Sequence, residues 1–146
     1  MIANLKKVNP QLIIVLGGPE VSFDPGQVLE QNPAVDYIVL GEGEVTFKEL
    51  LAYVLEGKGA REEIAGIAYR QGNLPMVTET RQLISDLDQI PFPYQGDFEG
   101  LNNKIIYYES SRGCPFCCSY CLSSTVRGVR FFPLERVKRD LQFFLD

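Results

Sequence analysis

Apolar and polar positions divide this chain into two kinds of segment. The run Gln11-Leu-Ile-Ile-Val-Leu-Gly-Gly-Pro is continuously apolar, β-branched and closed by glycines, which predicts a strand buried on both faces of a parallel sheet. Ile2, Leu5 and Val8 recur at helical spacing just before it. Residues 25–31 predict a short helix, Tyr37-Ile-Val-Leu a second buried strand, and Gly41-Glu-Gly-Glu the turn after that strand. Phe47, Leu50, Leu51, Val54 and Leu55 then form one helical stripe, with Thr46 and Glu49 in capping-box spacing and Gly57 as the stop. Strand, helix, strand, helix is the rhythm of an open α/β sheet.

Beyond residue 60 the pattern changes. Ile64 to Arg70 and Met76 to Thr80 predict a hairpin around Gln71-Gly72-Asn73, and Asp86 to Tyr94 is too rich in proline for a helix interior. Lys104 to Glu109 predicts a strand, and a helix starts near Pro133 with Leu134, Val137, Leu141 and Phe144 on one side. The division expected is an α/β unit over 1–63, a hairpin-containing linker over 64–103, and a single βα unit over 104–146.

With 146 residues, 45% hydrophobic and 23% charged, the composition is that of a soluble globular protein. The net charge of -5 argues against nonspecific nucleic-acid binding. Arg127, Arg130, Arg136, Lys138 and Arg139 form a local basic strip, read here as a solvated helix face. The absence of histidine removes His-based acid-base chemistry and mixed Cys/His zinc sites from these residues. No apolar run reaches the ~20 residues that span a bilayer, and the N-terminus lacks a signal-peptide core, so a cytoplasmic location and no membrane partner are expected.

The chemistry is concentrated in Ser110-Ser-Arg-Gly-Cys-Pro-Phe-Cys-Cys-Ser-Tyr-Cys121. Cys114, Cys118 and Cys121 follow a Cys-x-x-x-Cys-x-x-Cys spacing, and thiolates select iron-sulfur clusters, zinc or copper(I). Gly113 and Pro115 allow the sharp turn that would let them converge. Held by three thiolates, a cubane keeps one iron open for a substrate. Cys117 permits a competing register of Cys114, Cys117 and Cys121, or a four-thiolate zinc site, although four ligands within eight residues suit tetrahedral zinc poorly. A disulfide framework confined to one loop would staple nothing together.

The cysteine loop resembles the cluster motif of the radical S-adenosylmethionine enzymes. That resemblance implies a 4Fe-4S cluster on Cys114, Cys118 and Cys121, with its open iron chelated by S-adenosylmethionine and Tyr120 against the adenine. Reductive cleavage of the sulfonium would release a 5'-deoxyadenosyl radical, the protein orienting the cofactors and excluding side reactions. Leu16-Gly-Gly-Pro-Glu, and Gly41-Glu-Gly-Glu with its Thr-Phe-x-Glu-Leu-Leu helix, resemble the C-terminal half of a cobalamin-binding Rossmann-like domain. With the Pro-Phe-Pro connector and the cluster loop in this order, nearly the whole chain is similar to the cobalamin-binding radical S-adenosylmethionine proteins. That class includes methyltransferases and the anaerobic magnesium-protoporphyrin monomethyl ester cyclase. The fold implied is α/β: half of the Rossmann-like domain, a linker with a β-hairpin, and the first βα unit of a radical S-adenosylmethionine partial TIM barrel.

By the same resemblance Gly17, Gly18 and Pro19 would lie against the nucleotide tail of cobalamin, where a side chain would collide, and Glu42, Gly43 and Glu44 would flank the same crevice. The alternative role for the two glutamates is compensation of a helix N-terminus, worth ~0.3 to 1 kcal/mol each. The family's Asp-x-His-x-x-Gly segment, which supplies a cobalt-ligating histidine or occupies its place, has no counterpart in these residues. The chain is therefore expected to be a fragment spanning the junction of a longer enzyme, inactive alone and prone to self-association through Phe143-Phe-Leu. A flavodoxin or ferredoxin would be the electron donor, and a small molecule the substrate. The competing readings are a small zinc- or thiol-redox module whose α/β part binds a partner, and a nucleotide-binding half-domain, against which the lack of a Gly-x-Gly-x-x-Gly counts.

Overall fold

The computed structural model describes residues 2–94, 104–126 and 128–145. Two compact units, Met1–Leu83 and Ile84–Asp146, make up the chain.

In the first unit a four-stranded sheet runs in the order β1 (Val15–Gly17), β2 (Tyr37–Val39), β3 (Ile67–Gln71), β4 (Leu74–Val77). β1 and β2 are parallel in the register Val15↔Tyr37 to Gly17↔Val39; β2, β3 and β4 are antiparallel. Alternation along the strands divides the core. Ile38 and Ala68 face one side and pack with Leu29 and Val35, whereas Val39, Ile67 and Tyr69 face the other and pack with Leu50 and Ile64. The first face is covered by α3 (Pro25–Gln31), begun by the Asp24 carboxylate accepting from the Gln27 amide and a proline in the first turn. The second is covered by α4 (Gly43–Glu56), stopped by Gly57 in the left-handed region at φ 65°. α1 (Ile2–Val8) and α2 (Pro19–Ser22) flank β1 in the sequence.

Polar groups tie the layers together. The Arg70 guanidinium donates to the carbonyls of Asn32 and Val35, each at 2.8 Å, and to that of Leu29, satisfying carbonyls at and beyond the end of α3. Asp36 accepts from the Ile14 amide at 2.7 Å and from Lys6 at 3.0 Å, pinning the entry to β1. Tyr37, Tyr53 and Tyr69 lie around Arg61, whose guanidinium sits 4.5 Å from the Tyr69 ring centroid. Burial, then neighbouring Tyr53, pushes the Tyr37 phenol above its ordinary range.

Three expectations change here. Thr46 is not a cap: Glu42 occupies that position, and Thr46 lies inside α4, fully buried, its hydroxyl donating to Ala65 O at 3.2 Å. The α4 stripe is wider than the core it meets, so Leu50 is buried while Phe47 and Leu55 are 43% and 75% exposed. The hairpin pairs with β2 and extends the sheet, starting its second strand at Leu74; Pro75 is tolerated because β4 is an edge.

The second unit holds a two-stranded antiparallel ribbon, β5 (Ser111–Cys114) with β6 (Gly128–Phe131), and α5 (Leu134–Phe143). Residues 105–109, expected as a strand from their apolar and aromatic run, pair with no strand among the described residues. α5 buries a polar side, against expectation: Arg136 and Asp140 are 7% and 4% exposed, whereas Leu134 and Leu141 are 66% and 46% exposed. Arg136 meets Asp140 and Asp88 at 3.3 Å and donates to the Asp88 carbonyl at 2.9 Å; Tyr108 donates to Asp140 at 3.1 Å. The basic strip is accordingly not a continuous solvated face, since Arg136 is inside and Arg130 donates to the Ile84 carbonyl at 2.6 Å. Arg127, and residues 95–103 of the connector, lie outside the described residues. Phe143 and Phe144 pack with Phe92 in edge and tilted contacts at 5.2 and 5.7 Å, and Phe144 also meets Tyr94 and Tyr108, so this end of the chain has partners within its own unit.

Candidate functional site

In the first unit the parallel register places the carboxyl ends of β1 and β2 side by side, Gly17 opposite Val39. Gly18 follows at φ 105° and precedes Pro19, the first residue of α2. Beside them Gly41 turns at φ 65°, Glu42 sits in extended backbone before α4, and Gly43 and Glu44 open that helix. The sheet topology thus brings the predicted Gly17, Gly18, Pro19, Glu42, Gly43 and Glu44 to one end of the sheet, the end at which open α/β sheets receive ligands. A Cβ on Gly18 would meet nothing within 4 Å, so its positive φ is what requires glycine there; one on Gly43 would lie 3.3 Å from Val39 Cγ1.

An apolar cleft of about 860 Å³ reaches this end. Its walls include Gly17, Gly43, Leu12, Phe47, Leu51 and Leu55. The last three belong to the apolar stripe expected for α4; the signal that sets them apart is the width of that stripe, more than one sheet face can bury. A smaller cavity of about 120 Å³ is formed by Leu40, Gly41, Glu42 and residues 80–83, among them Arg81, which no motif in the sequence marks.

In the second unit the cysteine loop leaves from β5. Cys114 ends that strand opposite Gly128; Cys118 and Cys121 lie in a turn where the Cys121 amide donates to the Cys118 carbonyl at 3.2 Å. No cysteine is in a disulfide; Cys114, Cys118 and Cys121 are half-buried and Cys117 is exposed. The Tyr120 ring is 90% exposed. Among the described residues no three Cys, Asp or Glu side chains are gathered closely enough to hold a metal ion, so the loop carries the donor set without drawing it to one centre. Its donor chemistry fits an iron-sulfur cluster: thiols only, with half-buried sulfurs at the three positions of the spaced set. No helix among the described residues is long and apolar enough to cross a membrane.

Comparison with known proteins agrees with both halves. The B12 binding domain family matches residues 1–51. The chain is 33% identical over 151 residues to the cobalamin-dependent radical SAM methyltransferase TokK of Streptomyces tokunonensis, covering 96% of this chain and 22% of that protein. It is 37% identical over 126 residues to the anaerobic magnesium-protoporphyrin IX monomethyl ester cyclase of Rubrivivax gelatinosus, covering 80% of this chain and 22% of that one. Among solved structures, the cobalamin-dependent S-adenosylmethionine radical enzyme OxsB, with aqua-cobalamin and S-adenosylmethionine bound, superposes with a TM-score of 0.74 at 25% identity, over 97% of this chain and 20% of OxsB. The chain spans about a fifth of the length of these relatives, which are enzymes. Over the residues it shares with them, the chain is similar to the cobalamin-dependent radical S-adenosylmethionine enzymes, and its first 51 residues match the B12 binding domain family.

Proposed function

We propose that the chain contributes one wall of a cobalamin site and the cluster loop of a radical S-adenosylmethionine enzyme that performs methyl transfer or an oxidative cyclisation. What carries the reading is the thiol loop, Cys114 at the end of β5 and Cys118 and Cys121 in one turn, on the same chain as a sheet end matched by the B12 binding family. Cys114, Cys118 and Cys121 would hold a 4Fe-4S cluster and Tyr120 would cover the adenine of S-adenosylmethionine. When bound, that pair supplies one-electron cleavage of the sulfonium carbon–sulfur bond. The chain's own residues hold the thiolates, close the loop through the Cys121–Cys118 backbone bond, and present glycine backbone at the sheet end for a nucleotide tail. Glu42 and Glu44, at the start of α4, either meet that ligand or offset the helix dipole. The site of action is the cytoplasm, with a flavodoxin or ferredoxin as electron donor and a small molecule as substrate.

The test is anaerobic reconstitution with iron and sulfide on the parent, Cys118→Ala and Cys117→Ala. Near four irons per chain with a broad visible cluster band, lost in Cys118→Ala and kept in Cys117→Ala, is the expected result. Iron refused and zinc retained through Cys117 would assign the loop to a thiol-metal module instead.

A further inference from the structure

We propose that Gly113 and Gly128 are positioning residues for the Cys114 thiol: the two backbones touch where β5 meets β6, and that contact sets where the first ligand of the loop stands. A Cβ built on Gly113 would lie 2.1 Å from the Gly128 carbonyl oxygen and 3.2 Å from its carbonyl carbon. Both atoms are backbone, so no side-chain rotation relieves the collision. Gly113 also holds φ 96° and Gly128 φ 83°, a region that side chains rarely enter. Gly128 is the register partner of Cys114, and Val129 that of Gly113. The close approach therefore fixes the residue immediately before the cysteine and the residue directly opposite it. Cys118 and Cys121 lie outside the ribbon and are tied to each other by their own turn. The loop thus has one thiol anchored at the ribbon and two carried on a separate turn, and closing it on a metal centre means bringing these two and the first together.

The inference rests on the cluster reading for its purpose, and its test separates the two. In metal-free protein, iodoacetamide labelling resolved by peptide mass gives the rate at Cys114 relative to Cys118 and Cys121. Gly113→Ala forces the strands apart and should raise that ratio roughly tenfold, the factor that left-handed strain plus a backbone clash implies. At Gly128 an added Cβ meets nothing within 4 Å and only the φ is strained, so Gly128→Ala should move the ratio the same way by a smaller factor. If Gly113→Ala does not fold, Gly128→Ala decides the question alone. After anaerobic reconstitution, Gly113→Ala should hold less than half the parent's iron, and the electron paramagnetic resonance of its reduced cluster should differ from the parent's. A parent that takes up no iron overturns the cluster reading and leaves the labelling ratio to judge the glycines. An unchanged ratio in folded variants overturns the positioning role, whatever the iron content.

Discussion

Arg81 Nε donates to the Thr46 hydroxyl at 2.7 Å, and that hydroxyl donates in turn to the Ala65 carbonyl at 3.2 Å. The same guanidinium pairs with Glu49, one turn along α4 from Thr46. A buried hydroxyl so becomes the relay between a helix and the segment entering β3. Thr46→Val keeps the shape and removes the relay, and should cost about 1 to 3 kcal/mol. Thr46→Ser, which keeps the hydroxyl, should lose less. Urea midpoints with unchanged slopes measure both, and a Val variant as stable as the parent would refute the relay.

Two glycines at similar φ should differ in what they tolerate. Gly57 at φ 65° has open space around it, and Gly57→Ala should cost about 1 kcal/mol. Gly66, at φ 81°, would bring a Cβ to 3.1 Å from Thr46 Oγ1 and 3.3 Å from Arg81 Cβ, so Gly66→Ala should cost about 3 kcal/mol. Equal losses in thermal or urea unfolding would mean that this crowding relaxes away.

Alkaline pH should weaken the first unit. The folded Tyr37 phenol titrates above its unfolded value, chiefly through burial. Its contribution to stability is fully present below the unfolded pKa of about 10 and is lost as pH rises through the folded value. Between those points the unfolded chain binds fewer protons than the native one, so stability falls with pH. Tyr37→Phe should flatten that fall relative to the parent; identical slopes in unfolding titrations above pH ~10 would remove Tyr37 as the cause.

Within the second unit, Asp140→Ala should leave the buried Arg136 short of one partner and cost about 3 kcal/mol. Burial and then the Asp140 hydrogen bond hold the Tyr108 phenol up, so the same change should lower its titration in ultraviolet difference spectra. Asp140→Asn, which retains a hydrogen-bonding side chain without the charge, separates the two effects. A Tyr108 titration indifferent to both substitutions would show that burial alone sets it.

How far such features could be read beforehand depended on whether they are local. Helices α1, α3, α4 and α5 were legible because prolines and a stop glycine lie within a few residues of the apolar periodicity they bound. β2 was legible as an uninterrupted apolar run. Thr46 was misread because capping-box spacing is met by chance inside a helix, and only the distant Ala65 and Arg81 explain its burial. Residues 105–109 and the polar interior of α5 were misjudged for one reason: an apolar run or a helical stripe reports what a segment could bury, whereas the surroundings decide what it does bury. The cysteine spacing could be read at once, being carried by one loop; the contact of Gly113 with Gly128 could not, because it is made across a ribbon. The sheet end holding Gly17 and Glu42 was legible only as a family pattern, since turn glycines alone are common.

The change of strand direction at β2 has a kinetic side. The β3–β4 hairpin closes through the two residues Gly72 and Asn73, a local event on the microsecond scale. The parallel pairing of β1 with β2 must first enclose α2 and α3 in its crossover, at a much larger loss of chain freedom. Assembly of this sheet should run from the hairpin toward the amino-terminal edge. The turn glycines at the ends of β1 and β2 would then come into register last, and amide exchange should release β1 before it releases β3.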